Sequence, residues 1–221
     1  MVPEPLVGRS VRQSSRSFWE NRHVTFVRVS DGIFIHSTSY STITYVVSEV
    51  LKRGLTSGVL LRAGLSLGFV EHLDHPCPSG LDSRSHDISL FGTGITTAYC
   101  AESSVKGTGV RAIVHPELAK IIRLDTEVSN DLLNTRCGNH EKEIIEYPWW
   151  RDHWRVGMSD QERELLTSWS RSDIEDLLTR LRSSDEFAWN RNNKKGQRAI
   201  NDTMQVLSTA IKELDDDFEM S

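Results

Sequence analysis

Apolar positions along the chain change their period several times, and each change marks an element. His23 to Val29 is β-branched and apolar, Asp31-Gly32 is a two-residue turn signal, and Ile33 to His36 returns as a partner strand. That pattern predicts a β-hairpin. Ile43, Val46, Val47, Val50 and Leu51 then share one face of a helix, with Ser41 as its cap and Gly54 and Gly58 at its exit. Val59 to Leu67 is a nearly continuous apolar run, which predicts a strand buried on both faces. His72 to His86 contains Pro76, Pro78, Gly80 and several serines and reads as an exposed loop. Ile88 to Phe91 forms a short strand, Thr93 to Ser103 a helix, Val110 to Val114 a strand, and Pro116 opens a helix over Glu117 to Ile122. Hairpin, helix, strand, strand, helix and strand in this order imply an α+β fold with helices packed on a sheet.

After Asp125 the pattern is lost. Residues 125–157 are polar and irregular, with tryptophans at Trp149, Trp150 and Trp154. Helical stripes then return: Leu165, Leu166 and Trp169; Ile174, Leu177, Leu178 and Leu181; and Ile200, Met204, Leu207 and Ile211. Ser159 with Glu162, and Ser172 with Glu175, read as capping boxes. The chain therefore divides into a polar arginine-rich lead (1–22), an α+β domain (23–124), a linker with a tryptophan cluster (125–157) and an all-helical extension (158–221).

Composition narrows the class. In 221 residues, 38% are hydrophobic and 26% charged, with a formal net charge of −5, which suits a globular protein and argues against a general nucleic-acid binder. No apolar run is long enough to predict a membrane span, and the lead, with Pro3, Pro5 and then arginines, lacks the apolar core expected of a secretory signal. Cys77, Cys100 and Cys137 form no disulfide framework, so a reduced, cytoplasmic setting is expected. Arg9, Arg12, Arg16, Arg22 and Arg28 face only Glu20, while Asp215 to Asp217 make an acidic tail. Such runs are solvated faces or meet phosphates or an acidic partner.

Several residues invite chemical readings. Asp31 is either a metal ligand or simply good turn chemistry. Arg62, in an apolar strand, needs a partner because an unpaired buried charge is costly, and Glu102 is the favoured one over a phosphate. Gly64, Gly68 and Gly92 serve turns or close backbone approach, and Gly92-Thr93-Gly94 ahead of a helix can present amides to a phosphate. His72, His75 and Cys77 with Cys137 and His140 have permissive zinc spacing, but as loop residues they need no metal. Cys100 has no His–Asp partner and reads as a small core residue. The tryptophan cluster is either a recognition surface or an anchor against the core. Trp189 to Arg198 is basic and amide-rich, a solvated helix start or a contact for a nucleotide or acidic partner.

Taken in order, the motifs from Val24 to Leu118 resemble the second half of a class III nucleotidyl cyclase domain, in a divergent bacterial branch. The resemblance rests on Val27 to Asp31 at the hairpin turn, Arg62 to Gly68, Gly92 leading to Ala98 and Glu102, and the closing strand Gly109 to Leu118. It implies a ferredoxin-like, cyclase-type sheet, with Asp31 as a metal ligand, Arg28, Gly92, Thr93 and Thr96 near a nucleoside triphosphate, and Arg62, Gly64, Gly68 and Glu102 as structural residues. It also implies a homodimer or heterodimer through the sheet and, in an active enzyme, Mg or Mn. Such an enzyme uses two metal ions held by two aspartates to cyclise a nucleoside triphosphate. Here the residues before His23 contain no aspartate, only Arg28 is basic near the purine-reading lysine position at Val27, and Thr96 and Cys100 stand near the usual asparagine and arginine. The expectation is a cyclase-like protein with an incomplete two-metal site, acting as a nucleotide-binding or dimerising regulatory module. The opposing reading is an active cyclase, with pyrimidine triphosphates as substrates as in antiphage signalling, whose first aspartate lies upstream or on another chain. A third is an interaction protein that uses its helical tail.

Overall fold

The computed structural model describes residues 24–29, 32–75, 87–104, 109–124, 134–137, 143–150 and 169–219. The predicted hairpin forms from β1 (Thr25–Val29) and β2 (Gly32–His36), antiparallel, with Val29 opposite Gly32 and Thr25 opposite His36. Asp31 itself lies outside the described residues.

Helix α1 (Tyr40–Thr56) is capped by Ser39, not Ser41: the Ser39 side chain accepts the Thr42 amide. Its middle is buried nearly all round. Tyr45 and Val46 meet Val24 and Ile35 of the hairpin segment, whereas Val47, Leu51 and Leu55 enter the main core. The hydroxyls of Thr44 and Ser48, also buried, donate to the carbonyls of Tyr40 and Thr44 respectively. This i–4 bonding satisfies hydroxyls that have no access to water. Gly58, at φ 79°, ends the helix in the left-handed conformation that glycine takes without penalty.

Burial, with Glu49 adding to it and Arg53 opposing it, holds the Tyr45 phenol well above its ordinary range. A folded state that keeps this proton loses stability once pH rises above the unfolded phenol value of about 10. The urea midpoint is expected to fall between about pH 9 and about pH 11, and Tyr45→Phe should reduce that fall.

Among the described residues the main sheet has four strands, in the order β3 (Arg62–Leu65), β6 (Arg111–Val114), β8 (Glu143–Glu146) and β7 (Asn134–Cys137). The first pair is parallel and the others antiparallel. Residues 134–146, read in sequence as irregular linker, thus supply two strands. Their apolar content is only Ile144 and Ile145 between glutamates, too little for a period to show. A second two-stranded ribbon joins β4 (Glu71–His75) to β5 (Asp87–Phe91), with Glu71 opposite Phe91 and His75 opposite Asp87. Part of the expected loop from His72 is therefore strand, and residues 76–86 lie outside the described residues.

The long apolar run is also corrected. Only Arg62–Leu65 is strand, and Val59 and Leu67 are about half exposed. Among the described residues β3 ends its sheet, and only Leu65 of its four residues is buried. Alternate residues divide its two faces. Leu65, Ala112 and Val114 join the main core, while Ala101 of helix α2 (Thr93–Ser103) meets Ile113 on the other face.

The other α-helices among the described residues are α3 (Pro116–Leu124), α4 (Arg171–Ser183), α5 (Ala188–Arg191) and α6 (Lys194–Glu219). The capping box of α4 is Ser170 with Asp173, not Ser172 with Glu175. Hydrogen bonds from the Ser170 hydroxyl and amide hold the Asp173 carboxyl below its ordinary range, with Lys52 contributing. Ser159 and Glu162 lie outside the described residues. Ile174, Leu177 and Leu181 of α4 and Ile200, Val206, Leu207 and Ala210 of α6 pack in one core with Leu51, Val114 and Ile122. The helical extension is thus part of the body of an α+β fold. Its last helix even touches the sheet: the Val110 amide donates to Thr203 Oγ1 at 3.0 Å, ahead of β6. That hydroxyl donates in turn to the Ala199 carbonyl at 2.7 Å.

Candidate functional site at the junction of β3 and α2

Strand β3 and helix α2 meet through backbone because Gly64 has no side chain. A Cβ at Gly64 would land on the Ala98 carbonyl oxygen, and one at Gly68 on the Gly94 backbone. The Arg62 guanidinium reaches Glu102 at 2.5 Å, with both side chains partly exposed. Arg62, Gly64, Gly68 and Glu102 therefore lie along one seam, and all four make contacts within the fold.

Gly64→Ala is expected to lower the unfolding free energy by about 1–3 kcal/mol, since the added methyl meets backbone that cannot swing away. Chemical denaturation gives the difference. An unchanged midpoint would show that α2 can move off β3 at no cost.

The start of α2 is already furnished with partners. Gly92, at φ 136°, precedes the helix. The Gly94 amide donates to the Phe69 carbonyl at 3.0 Å, and the Phe69 amide donates to Thr93 Oγ1 at 3.1 Å. Ser66 donates to the Gly94 carbonyl at 2.7 Å. The Thr96 amide and hydroxyl both point to the Gly92 carbonyl, at 3.4 and 3.5 Å. Gly92, Thr93 and Thr96 are thus brought together, with the Gly94 amide committed to the preceding loop. Arg28 stands on β1, in a different sheet, and Asp31 lies outside the described residues.

A two-metal centre needs converging carboxylates or other hard donors. Among the described residues no three His, Cys, Asp or Glu side chains converge to hold an ion, so these residues do not furnish that centre. His72 and His75 lie on β4 and Cys137 on β7 rather than in loops. Cys77 and His140 lie outside the described residues. Cys100 is exposed on α2, contrary to its expected place in the core.

The structure reveals a second charged pair that the sequence reading missed. Arg111 is the register partner of Arg62 on β6 and binds Glu146 at 2.7 Å, with side-chain exposures of 10% and 4%. The available signal was the one used for Arg62: a lone arginine inside an apolar strand. Trp149 and Trp150 are almost fully buried. Trp149 makes edge contacts with Trp150 and Trp169, each at 5.7 Å between centroids, and Lys52 Nζ stands 5.5 Å from the Trp169 ring. These two tryptophans are core; Trp154 lies outside the described residues.

Comparison with protein-family models, curated proteins and solved structures finds no match. Among the described residues no helix is long and apolar enough to cross a membrane.

Proposed function

We propose that the chain is a nucleotidyl-cyclase-like regulatory module, with a cyclase-type arrangement of hairpin, helix and sheet and without a complete two-metal site. The observation that carries this reading is the internal use of the motif residues. Arg62 is spent on Glu102, Gly64 on the close approach of Ala98, and the Gly94 amide on Phe69. These motif residues hold strand, loop and helix together, which supports a retained cyclase-type scaffold. The start of α2 keeps Thr93 and Gly92 near the surface, which supports a role in sensing a nucleotide rather than converting it.

The test is incubation of the purified chain with each of the four nucleoside triphosphates and Mn²⁺, together with calorimetric titration of the same ligands. The expected result is saturable binding without cyclic product. Cyclic product that disappears in Asp31→Ala would establish catalysis and overturn the proposal. Absence of both product and binding would also reject it and leave an interaction protein.

A further inference from the structure

Helix α6 carries its charges in the order that its own dipole opposes. Lys194, Lys195 and Arg198 lie in its first turns, and Glu213, Asp215, Asp216, Asp217 and Glu219 in its last. Cations at a helix N-terminus and anions at a C-terminus both work against the aligned peptide dipoles. Local helix stability therefore does not account for this arrangement.

Beside the basic end lies a groove of about 360 Å³ between α4, α5 and α6. Leu181, Ile200 and Met204 give it an apolar floor, and Arg182, Arg191 and Asn201 a polar rim. Arg191 is held in place by the carbonyls of Leu181 and Ser183, each at 3.5 Å. Arg182 is exposed. Arg182 and Arg191 are the charged side chains that line the groove, so its rim is positive.

We propose that this groove receives the acidic end of α6 from a second copy of the chain. The segment Asp215 to Glu219 combines four carboxylates with one large apolar residue, Phe218. Its chemistry matches an apolar floor bordered by guanidinium groups. The chain cannot supply this segment to its own groove. Asp215 lies 11 residues beyond Met204 on the same continuous helix, a distance of about 16 Å. Two copies with antiparallel α6 helices would each place an acidic end on the other's basic groove, a self-complementary arrangement with two-fold symmetry. The opposed charges that strain each helix alone would then neutralise in pairs. This surface is separate from the β3–α2 junction, so the inference does not depend on the regulatory reading above.

Sedimentation of the full chain tests it. Self-association is expected at about 50 mM salt and should weaken by about tenfold or more at about 500 mM, where charges are screened within a few ångströms. The triple variant Asp215→Asn, Asp216→Asn, Asp217→Asn should sediment as a monomer while keeping its helical circular dichroism, since removing these anions relieves the dipole conflict. Arg182→Glu should weaken association of the otherwise normal chain, and mixing it with Asp216→Arg should restore a heterodimer. A chain that is monomeric at all concentrations and salts overturns the proposal. So does a triple variant that still associates like the parent.

Discussion

Glu146→Ala should lower the unfolding free energy by about 3–5 kcal/mol, among the largest single-residue effects expected in this chain. The substitution leaves the Arg111 guanidinium in the interior without its carboxylate. Arg111 Nε already has no hydrogen-bond partner, so the remaining cation cannot easily redistribute its bonds. The loss reflects an uncovered charge rather than the worth of the ion pair. Accordingly, the double variant Arg111→Met, Glu146→Leu should recover most of the stability, because apolar groups of similar volume need no desolvation of charge. Urea denaturation of the three proteins decides the matter. If the double variant is as unstable as Glu146→Ala, the pair supplies something that packing cannot replace.

Trp149→Ala is the second large effect, expected at about 3–5 kcal/mol. The ring is fully buried and joins Trp150 and Trp169 at the centre of the core. Trp149→Phe should cost much less. The smaller ring keeps most of the contact, and it removes an indole N–H that is buried without a partner, a group whose desolvation costs about 1–3 kcal/mol. Denaturant midpoints of the two variants, read by far-ultraviolet circular dichroism, give the comparison. Equal losses would show that the indole itself is required. Because Trp149 shares its core with α1, α4 and α6, the same experiment should show sheet and helices unfolding together.

Elements with strong local punctuation were legible in the sequence. The hairpin was legible from its two apolar runs, although Gly32 is the first residue of β2, opposite Val29, rather than part of the turn; Pro116 announced the start of α3 through local backbone geometry. The strands β7 and β8 were not legible. Each has four residues: β8 is held by the edge of β6, about 30 residues back along the chain, and β7 pairs only with β8. The caps show a finer limit. Ser39 and Ser41, and likewise Ser170 and Ser172, are chemically equivalent, and only the path of the incoming chain selects one.

The candidate site was legible where one residue broke its surroundings. Arg62 in an apolar segment pointed to a carboxylate, and Glu102 is that carboxylate. The same logic applied to Arg111 would have asked for a partner, but Glu146 sits in a stretch that looked like linker. Ser66 and Phe69 gave no such signal. Their roles come from the loop that brings them against the start of α2.

The bond from the Val110 amide to Thr203 spans 93 residues. During synthesis, β6 therefore emerges long before the hydroxyl that completes its leading end. Contacts so distant in sequence are made late and slowly. While α6 is still within the ribosome, the sheet's leading end and the core face awaiting Leu207 remain uncovered. Until α6 emerges, that apolar face is open to solvent and to other chains.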